Sequence, residues 1–189
     1  GADKAFDAIA KKFGVIRVKD LEELHAISTL LSTLPELPAK PTFSAMAFSG
    51  GEGVVCADSA FYNGINFPDF ESETRDALQA MLPYYATANN PLDMTFTMSY
   101  DSDVFAKALR TVMDDPNIGM CLLCFTILQK NIAPDVITMI EGIEKVARQG
   151  KSKPMAFVPL MENTRERALA ERLAAVGVPI LPPTHYAFS

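Results

Sequence analysis

The residues best placed to do chemistry are Ser49-Gly50-Gly51-Glu52-Gly53, which interrupt the apolar run FSAMAFS and precede residues of helical pattern. A strand that passes into a helix through glycines presents unpaired backbone N–H groups and the positive end of a helix dipole. That combination takes an anion such as phosphate. A second reading stays open on these residues alone, in which the glycines serve only to let the helix pack closely on the strand. Glu52 acts in two directions, because a carboxylate in the first turn complements the dipole and also repels an incoming phosphate. Removing that charge, as in Glu52→Gln, is therefore expected to tighten binding. The turn is not a dinucleotide fingerprint, since it lacks the full G-x-G-x-x-G and an acidic residue closing a second strand.

Elsewhere the chain is poor in catalytic side chains. Its two histidines are His25, inside an amphipathic helical pattern, and His185, after Pro182-Pro183. Neither neighbours a nucleophile or a metal-like partner, so both read as structural. The spacing Cys121-Leu122-Leu123-Cys124 invites a metal or redox reading, but MCLLCFT has the composition of a buried strand. Alternation along a strand sends residues i and i+3 to opposite faces, so the two sulfurs do not converge. Together with Cys56 they are expected to be core thiols in a reducing compartment. No metal site is expected. No H-x-x-x-H, G-x-S-x-G or P-loop lysine is present. Asn90 and Asp93, in the polar stretch ATANNPLDMT, are candidates to line a site beside the glycine turn.

These residues must be positioned by elements that the periodicity sets out. DKAFDAIAKKF carries Ala5, Phe6, Ile9, Ala10 and Phe13 on one helical face and stops at Gly14. VIRV, residues 15 to 18, reads as a short strand, and Asp20 with Glu23 opens a helix through LEELHAISTLLSTL. PELPAKP, residues 35 to 41, is the best linker. Beyond it, apolar strands at TFSAMAFS, IGMCLLCFT, KPMAFVPL and VPILP, with a short extended INF, alternate with helices. The helices are expected near 52 to 63, from Ser72, over 102 to 114 with Asp101 or Ser102 as cap, over PDVITMIEGIEKVARQG, and over TRERALAERLAAVG.

This order predicts an α/β, flavodoxin-like (Rossmann-like) three-layer sandwich with a mainly parallel sheet, preceded by an N-terminal helix-strand-helix segment. Residues 1–37 and 38–189 are the expected divisions. Ligands in such sheets sit beyond the carboxyl ends of the strands, here the loops at 49–53, 126–132 and 159–163, with 87–93 beside them.

The chain has 189 residues, 49% of them hydrophobic and 21% charged, as in an ordinary globular domain. A net charge of −6 without clustered Lys or Arg speaks against nucleic acid as a partner. No apolar run is long enough to span a bilayer, and no leader pattern opens the chain, so a cytoplasmic location and no membrane partner are expected.

GVIRVKDLEEL, SGGEGVVCAD, ESETRDALQAMLPYYATANNPLDMT and ALRTVMDDPNIGMCLLCF resemble, in that order, the NDP-forming acyl-CoA synthetases of the succinyl-CoA synthetase superfamily. The most specific elements are the turn at Ser49–Gly53, NPLDM at 90 to 94 and DDPNIG at 114 to 119. The resemblance implies a part of an enzyme that makes acyl-CoA from a carboxylic acid, CoA and ATP by way of an acyl phosphate and a phosphohistidine. Residues 1–37 would close a CoA-ligase domain, and residues 38–189 would be the second, flavodoxin-like ligase-CoA domain. Ser49, Gly50, Gly51 and Gly53 would offer N–H groups to the phosphohistidine, with Glu52 standing where many relatives carry Pro or a small residue.

The resemblance further implies that this chain binds no cofactor itself, ATP, Mg and CoA being expected for the full-length enzyme, and that it is inactive alone. Its partners would be the CoA-binding, CoA-ligase and ATP-grasp domains of the same synthetase. The alternative is a non-catalytic docking or regulatory ligand-binding module. The apolar faces within residues 1–37 are expected to fold back on the main domain or to pair with a second copy as a homodimer.

Overall fold

The computed structural model describes residues 2–34, 36–126, 134–150, 152–161 and 167–189. Four parallel strands form one sheet: β1 (Phe43–Ala47), β2 (Leu92–Asp93), β3 (Met120–Phe125) and β4 (Met155–Pro159), in the order β2-β1-β3-β4. Phe43 lies beside Met120 and Cys121 beside Met155, so the strands enter the sheet in step. Residues near Ile180 extend the sheet past β4, with the Phe157 N–H donating to Pro179 O and the Leu181 N–H to Phe157 O. This is the parallel α/β architecture expected from the alternation of strands and helices.

Alternation along each strand divides the core between two faces. Met46, Cys121, Leu123, Phe125, Met155 and Phe157 pack on one side under the helices α4 (Ser72–Gln79), α5 (Ser102–Asp114), α6 (Pro134–Arg148) and α7 (Arg167–Ala175). Ala45, Met120, Leu122, Cys124, Ala156 and Val158 face the other layer, which is built from α2 (Leu21–Thr33), α3 (Gly50–Asn63) and the short α8 (Thr184–Ala187). Cys121 and Cys124 thus lie on opposite faces, both fully buried. Burial pushes the Cys121 thiol up to about 12. Burial, with Cys56 beside it, raises that of Cys124 as well.

Local signals account for several helix ends. Asp101 caps α5 by accepting from the Asp103 and Val104 N–H groups, and these bonds hold its carboxyl below the usual carboxylate range. Asp20 accepts from the Glu23 N–H at 2.8 Å, and the Glu23 carboxylate accepts from the Lys19 N–H, one residue before the cap, in a variant of the capping box at α2. Helix α1 (Ala2–Lys12) ends at Gly14, whose φ of +66° is a left-handed conformation that favours glycine.

Two expectations are corrected. Residues 15–18 pair with no strand among the described residues. Val15 and Ile16 are exposed, and Arg17 turns back to bridge Asp3 and Asp7 of α1, so an apolar run without a neighbouring sheet edge stays unpaired. INF contributes only a single bridge, between Thr42 and Asn66, and the edge strand is the two-residue β2 inside what reads as a polar loop. Within the N-terminal region, α2 packs on α8 and Leu34 enters the second core layer. Helix α1 does not bury its apolar face: Phe6 and Phe13 remain 56% and 70% exposed.

Candidate functional site

The carboxyl ends of β1 and β3 lie side by side, and α3 rises from the first of them at Gly50. Ser49 is its N-cap, in extended conformation, and its Oγ accepts the Glu52 N–H at 3.4 Å. Glu52 reaches back in the manner of a capping box, with an added span. Its Oε2 accepts the Phe48 N–H at 2.9 Å and its Oε1 accepts the Thr126 N–H at 3.3 Å. One half-buried carboxylate therefore joins the end of β1 to the residue that follows β3.

The Gly53 N–H is already bonded to Ser49 O at 3.0 Å. The N–H groups of Gly50 and Gly51, both exposed residues, have no partner among the described residues and are left for an external acceptor. The turn is thus narrower as a donor set than the sequence pattern implies. A Cβ on Gly51 would come no nearer than 4.0 Å, to Ser49 Oγ, so packing does not require glycine there.

Asp93 ends β2 next to this turn. A Cβ on Gly50 would lie 3.4 Å from its Oδ2, while its Oδ1 accepts the Thr95 N–H at 2.9 Å. Thr95 is held at a φ of +52°, a conformation that costs a non-glycine residue free energy. Phe96, largely exposed, stacks on Phe48 at a centroid distance of 5.8 Å.

Asn90 is placed differently. Its side chain bonds to Ala45 N, Phe43 O and Pro68 O, alongside the first half of β1 rather than at the glycine turn. Asp115, from DDPNIG, is fully buried at the opposite edge of the sheet, where it accepts the N–H groups of Glu71 and Asn117 and so fixes the start of α4.

Neither histidine is near the turn in sequence; His25 is exposed on α2 and His185 falls in α8. Among the described residues no group of three or more His, Cys, Asp or Glu is placed to hold a metal ion, and no helix is long and apolar enough to cross a membrane. The expected edge loops at 126–132 and 159–163 run into residues that lie outside the described ones, as does the start of the helix expected from Thr164. What the sequence reading missed is the reach of Glu52 to Thr126; the S-x-x-E spacing of Ser49 and Glu52 was the available signal.

A parallel sheet with helices packed on both faces places the chain in the α/β, Rossmann-like class. The Ligase-CoA domain model matches residues 44–185, and the chain belongs to that family. It is 25% identical over 185 residues to the alpha subunit of acetate–CoA ligase [ADP-forming] I of Pyrococcus furiosus, covering 96% of this chain and 38% of the relative. It is 26% identical over 149 residues to 4-hydroxybutyrate–CoA ligase [ADP-forming] of Nitrosopumilus maritimus, covering 77% of this chain and 21% of the relative.

Among solved structures, a Pyrococcus horikoshii OT3 protein superposes with a TM-score of 0.82 at 23% identity, over all of this chain and 42% of that one. The apo dinucleotide-forming acetyl-coenzyme A synthetase 1 of Ca. Korarchaeum cryptofilum gives 0.80 at 19%, over all of this chain and 40% of that one. At these identities the superpositions speak to the fold. The chain spans 38% or less of each of these curated relatives. The resemblance to NDP-forming acyl-CoA synthetases, first read from the turn, NPLDM and DDPNIG, is borne out by the family match and these relatives.

Proposed function

We propose that this chain is the phosphoryl-steadying domain of an ADP-forming acyl-CoA synthetase, which joins a carboxylic acid to CoA through an acyl phosphate and a phosphohistidine. The observation that carries the reading is the pair of N–H groups of the exposed residues Gly50 and Gly51, at the start of a 14-residue helix, on the ligand edge of a Ligase-CoA domain. The domain's share of the chemistry is electrostatic. Two N–H groups and the α3 dipole meet the phosphoryl oxygens while a histidine from a neighbouring domain carries the phosphorus. The dipole contributes about 0.3 to 1 kcal/mol at an exposed site, and more once the neighbour excludes water.

The side chains of this chain do not carry the phosphoryl group. ATP, Mg and CoA are assigned to the CoA-binding and ATP-grasp domains, as the resemblance to NDP-forming acyl-CoA synthetases implies. Val54, Val55, Phe61 and Tyr62 stand exposed on α3 and mark the face that meets a neighbouring domain.

Two experiments test the reading. The purified chain supplied with ATP, Mg, CoA and a short carboxylic acid is expected to form no acyl-CoA, and formation by the chain alone would contradict it. The gene upstream of residue 1, or an adjacent reading frame, is expected to encode a His-Thr-Gly or His-Ala-Gly type loop. Its absence from both would favour a docking or regulatory module instead.

A further inference from the structure

DDPNIG, residues 114–119, leads into β3 at the amino edge of the sheet, opposite the glycine turn. A cavity of about 450 Å³ opens there, within the range of about 300–1,000 Å³ typical of small-molecule sites. Its walls come from the segments that precede three strands: Leu37 and Ala39 before β1, Ile118 before β3 and Pro154 before β4. These walls are apolar, but two lysines stand among them.

The Lys40 ammonium donates to Pro116 O at 2.8 Å, and the Lys153 ammonium donates to Asp115 O. Consecutive carbonyls of one chain therefore gather two like charges, an unfavourable arrangement unless an opposite charge answers them. The Asp115 carboxylate does not, because it accepts the N–H groups of Glu71 and Asn117. Asp114 and the exposed Glu36 also line the cavity, yet among the described residues neither Lys40 nor Lys153 forms an ion pair. Burial lowers the Lys153 pKa from its ordinary value, opposed by Asp115 and Asp114 and reinforced by Lys40. Each ammonium keeps N–H groups beyond the one given to its carbonyl.

We propose that this cavity binds a small amphiphilic carboxylate, its head bridging Lys40 and Lys153 and its apolar body lying along Leu37, Ile118 and Pro154. A carboxylate brings one oxygen for each ammonium, and bonds between two ionised groups are the stronger class. The apolar walls favour an anion with a hydrocarbon body over a bare inorganic one. Because the cavity lies at the opposite edge of the sheet, the proposal stands independently of the reading of the glycine turn. Occupancy ties the segment before β1 to those before β3 and β4 and so stabilises the fold.

The test is titration of the 15N-labelled chain with hexanoate at constant ionic strength, with 1-hexanol and inorganic phosphate probing body and charge separately. Hexanoate is expected to give saturable shifts centred on the Lys40, Ile118, Gly119 and Lys153 amides, with a dissociation constant on the order of millimolar. The other two probes are expected to bind there at least about 10-fold more weakly. Phosphate shifts at Gly50 and Gly51 report on the glycine turn and are read separately. Lys40→Gln and Lys153→Gln should each weaken hexanoate binding by about 3- to 10-fold, with thermal melts checking that each variant folds. Lys40 is exposed, so its variant keeps the test decisive if the Lys153 variant does not fold. Absence of saturable hexanoate shifts at these amides overturns the proposal. So does 1-hexanol binding as tightly as hexanoate, which would leave the lysines idle, or phosphate doing so, which would leave the walls idle. Unchanged hexanoate binding by Lys40→Gln overturns it as well.

Discussion

The Asn90 Oδ1 accepts the Ala45 N–H at 3.2 Å, and through this contact a side chain takes the place of a strand. The edge beside β1 is assembled from three pieces. Asn66 O accepts the Phe43 N–H at 3.0 Å, the Asn90 amide bonds to Phe43 O and Ala45 N, and Leu92–Asp93 pairs with Met46–Ala47. A side-chain amide with one acceptor and two donors is suited to bridging such a gap. Asn90→Ala leaves the buried Ala45 N–H without a partner and is expected to destabilise the chain by about 2 to 4 kcal/mol, from the cost of unsatisfied buried groups. Asn90→Asp, which keeps the acceptor but turns two donors into lone pairs facing carbonyls, is expected to be no better. Urea unfolding measures both, and a loss below about 0.5 kcal/mol in either would mean that water replaces the amide.

Burial governs the three cysteines. Cys56, Cys121 and Cys124 are each fully buried, and the thiol pKa values of Cys121 and Cys124 are raised by burial. A disulfide reagent at pH 8 is expected to label none of them on the timescale of minutes in the native chain, and all three in denaturant. Rapid labelling of one thiol under native conditions would show that its layer opens locally.

Glu144 on α6 links two arginines. Its Oε1 accepts from Arg172 Nε at 2.9 Å and its Oε2 lies 3.3 Å from Arg148 Nη2. The Arg172 hydrogen bond holds the Glu144 carboxyl below its ordinary value, against the opposing effect of burial. A carboxylate depressed in the folded state stabilises the fold above its unfolded pKa, and that contribution is lost as pH falls through the folded value. Glu144→Gln is therefore expected to cost about 1 kcal/mol at pH 7, allowing for the partial exposure of Arg172, and progressively less in acid. Melting temperatures from pH 7 down to pH 3 should converge for the two proteins; a constant gap would assign the loss to packing.

Gly51 separates stability from binding. Its site has room for a methyl group, and alanine in a helix is favoured over glycine by about 0.5 to 1 kcal/mol. Gly51→Ala is expected to leave stability unchanged or raise it, whereas Gly51→Val is expected to weaken phosphate binding by blocking close approach to the N–H. Gly119 is the opposite case, because a Cβ there would lie 2.1 Å from Lys40 O, so Gly119→Ala should unfold the chain or lower its melting temperature severely. A Gly51→Ala protein markedly less stable than wild type would return that glycine to a steric role.

What could be read from the sequence follows from how local each determinant is. β3 and β4 are continuous apolar runs, and α5 announces itself by the Asp101 cap, so short-range pattern suffices for them. β2 is hidden because only two residues pair and the rest of the edge is completed by Asn66 and by the Asn90 side chain, neither of which has a strand's composition. Residues 15–18 have a strand's composition without a sheet edge to join. The glycine turn is legible as a strand-to-helix junction. The bond from Thr126 N to Glu52 is not, since it spans 74 residues and exists only once β1 and β3 are neighbours.

The central claim is that the N-terminus of α3 receives a phosphoryl group. Titration of the 15N-labelled wild-type chain with inorganic phosphate at constant ionic strength tests it most directly. The account predicts saturable amide shifts centred on Gly50 and Gly51, with a dissociation constant on the order of millimolar, as two N–H groups and one helix dipole imply in the absence of the partner domain. Amide shifts that centre elsewhere, or none at Gly50 and Gly51 up to about 100 mM phosphate, some two orders of magnitude above that range, would contradict it.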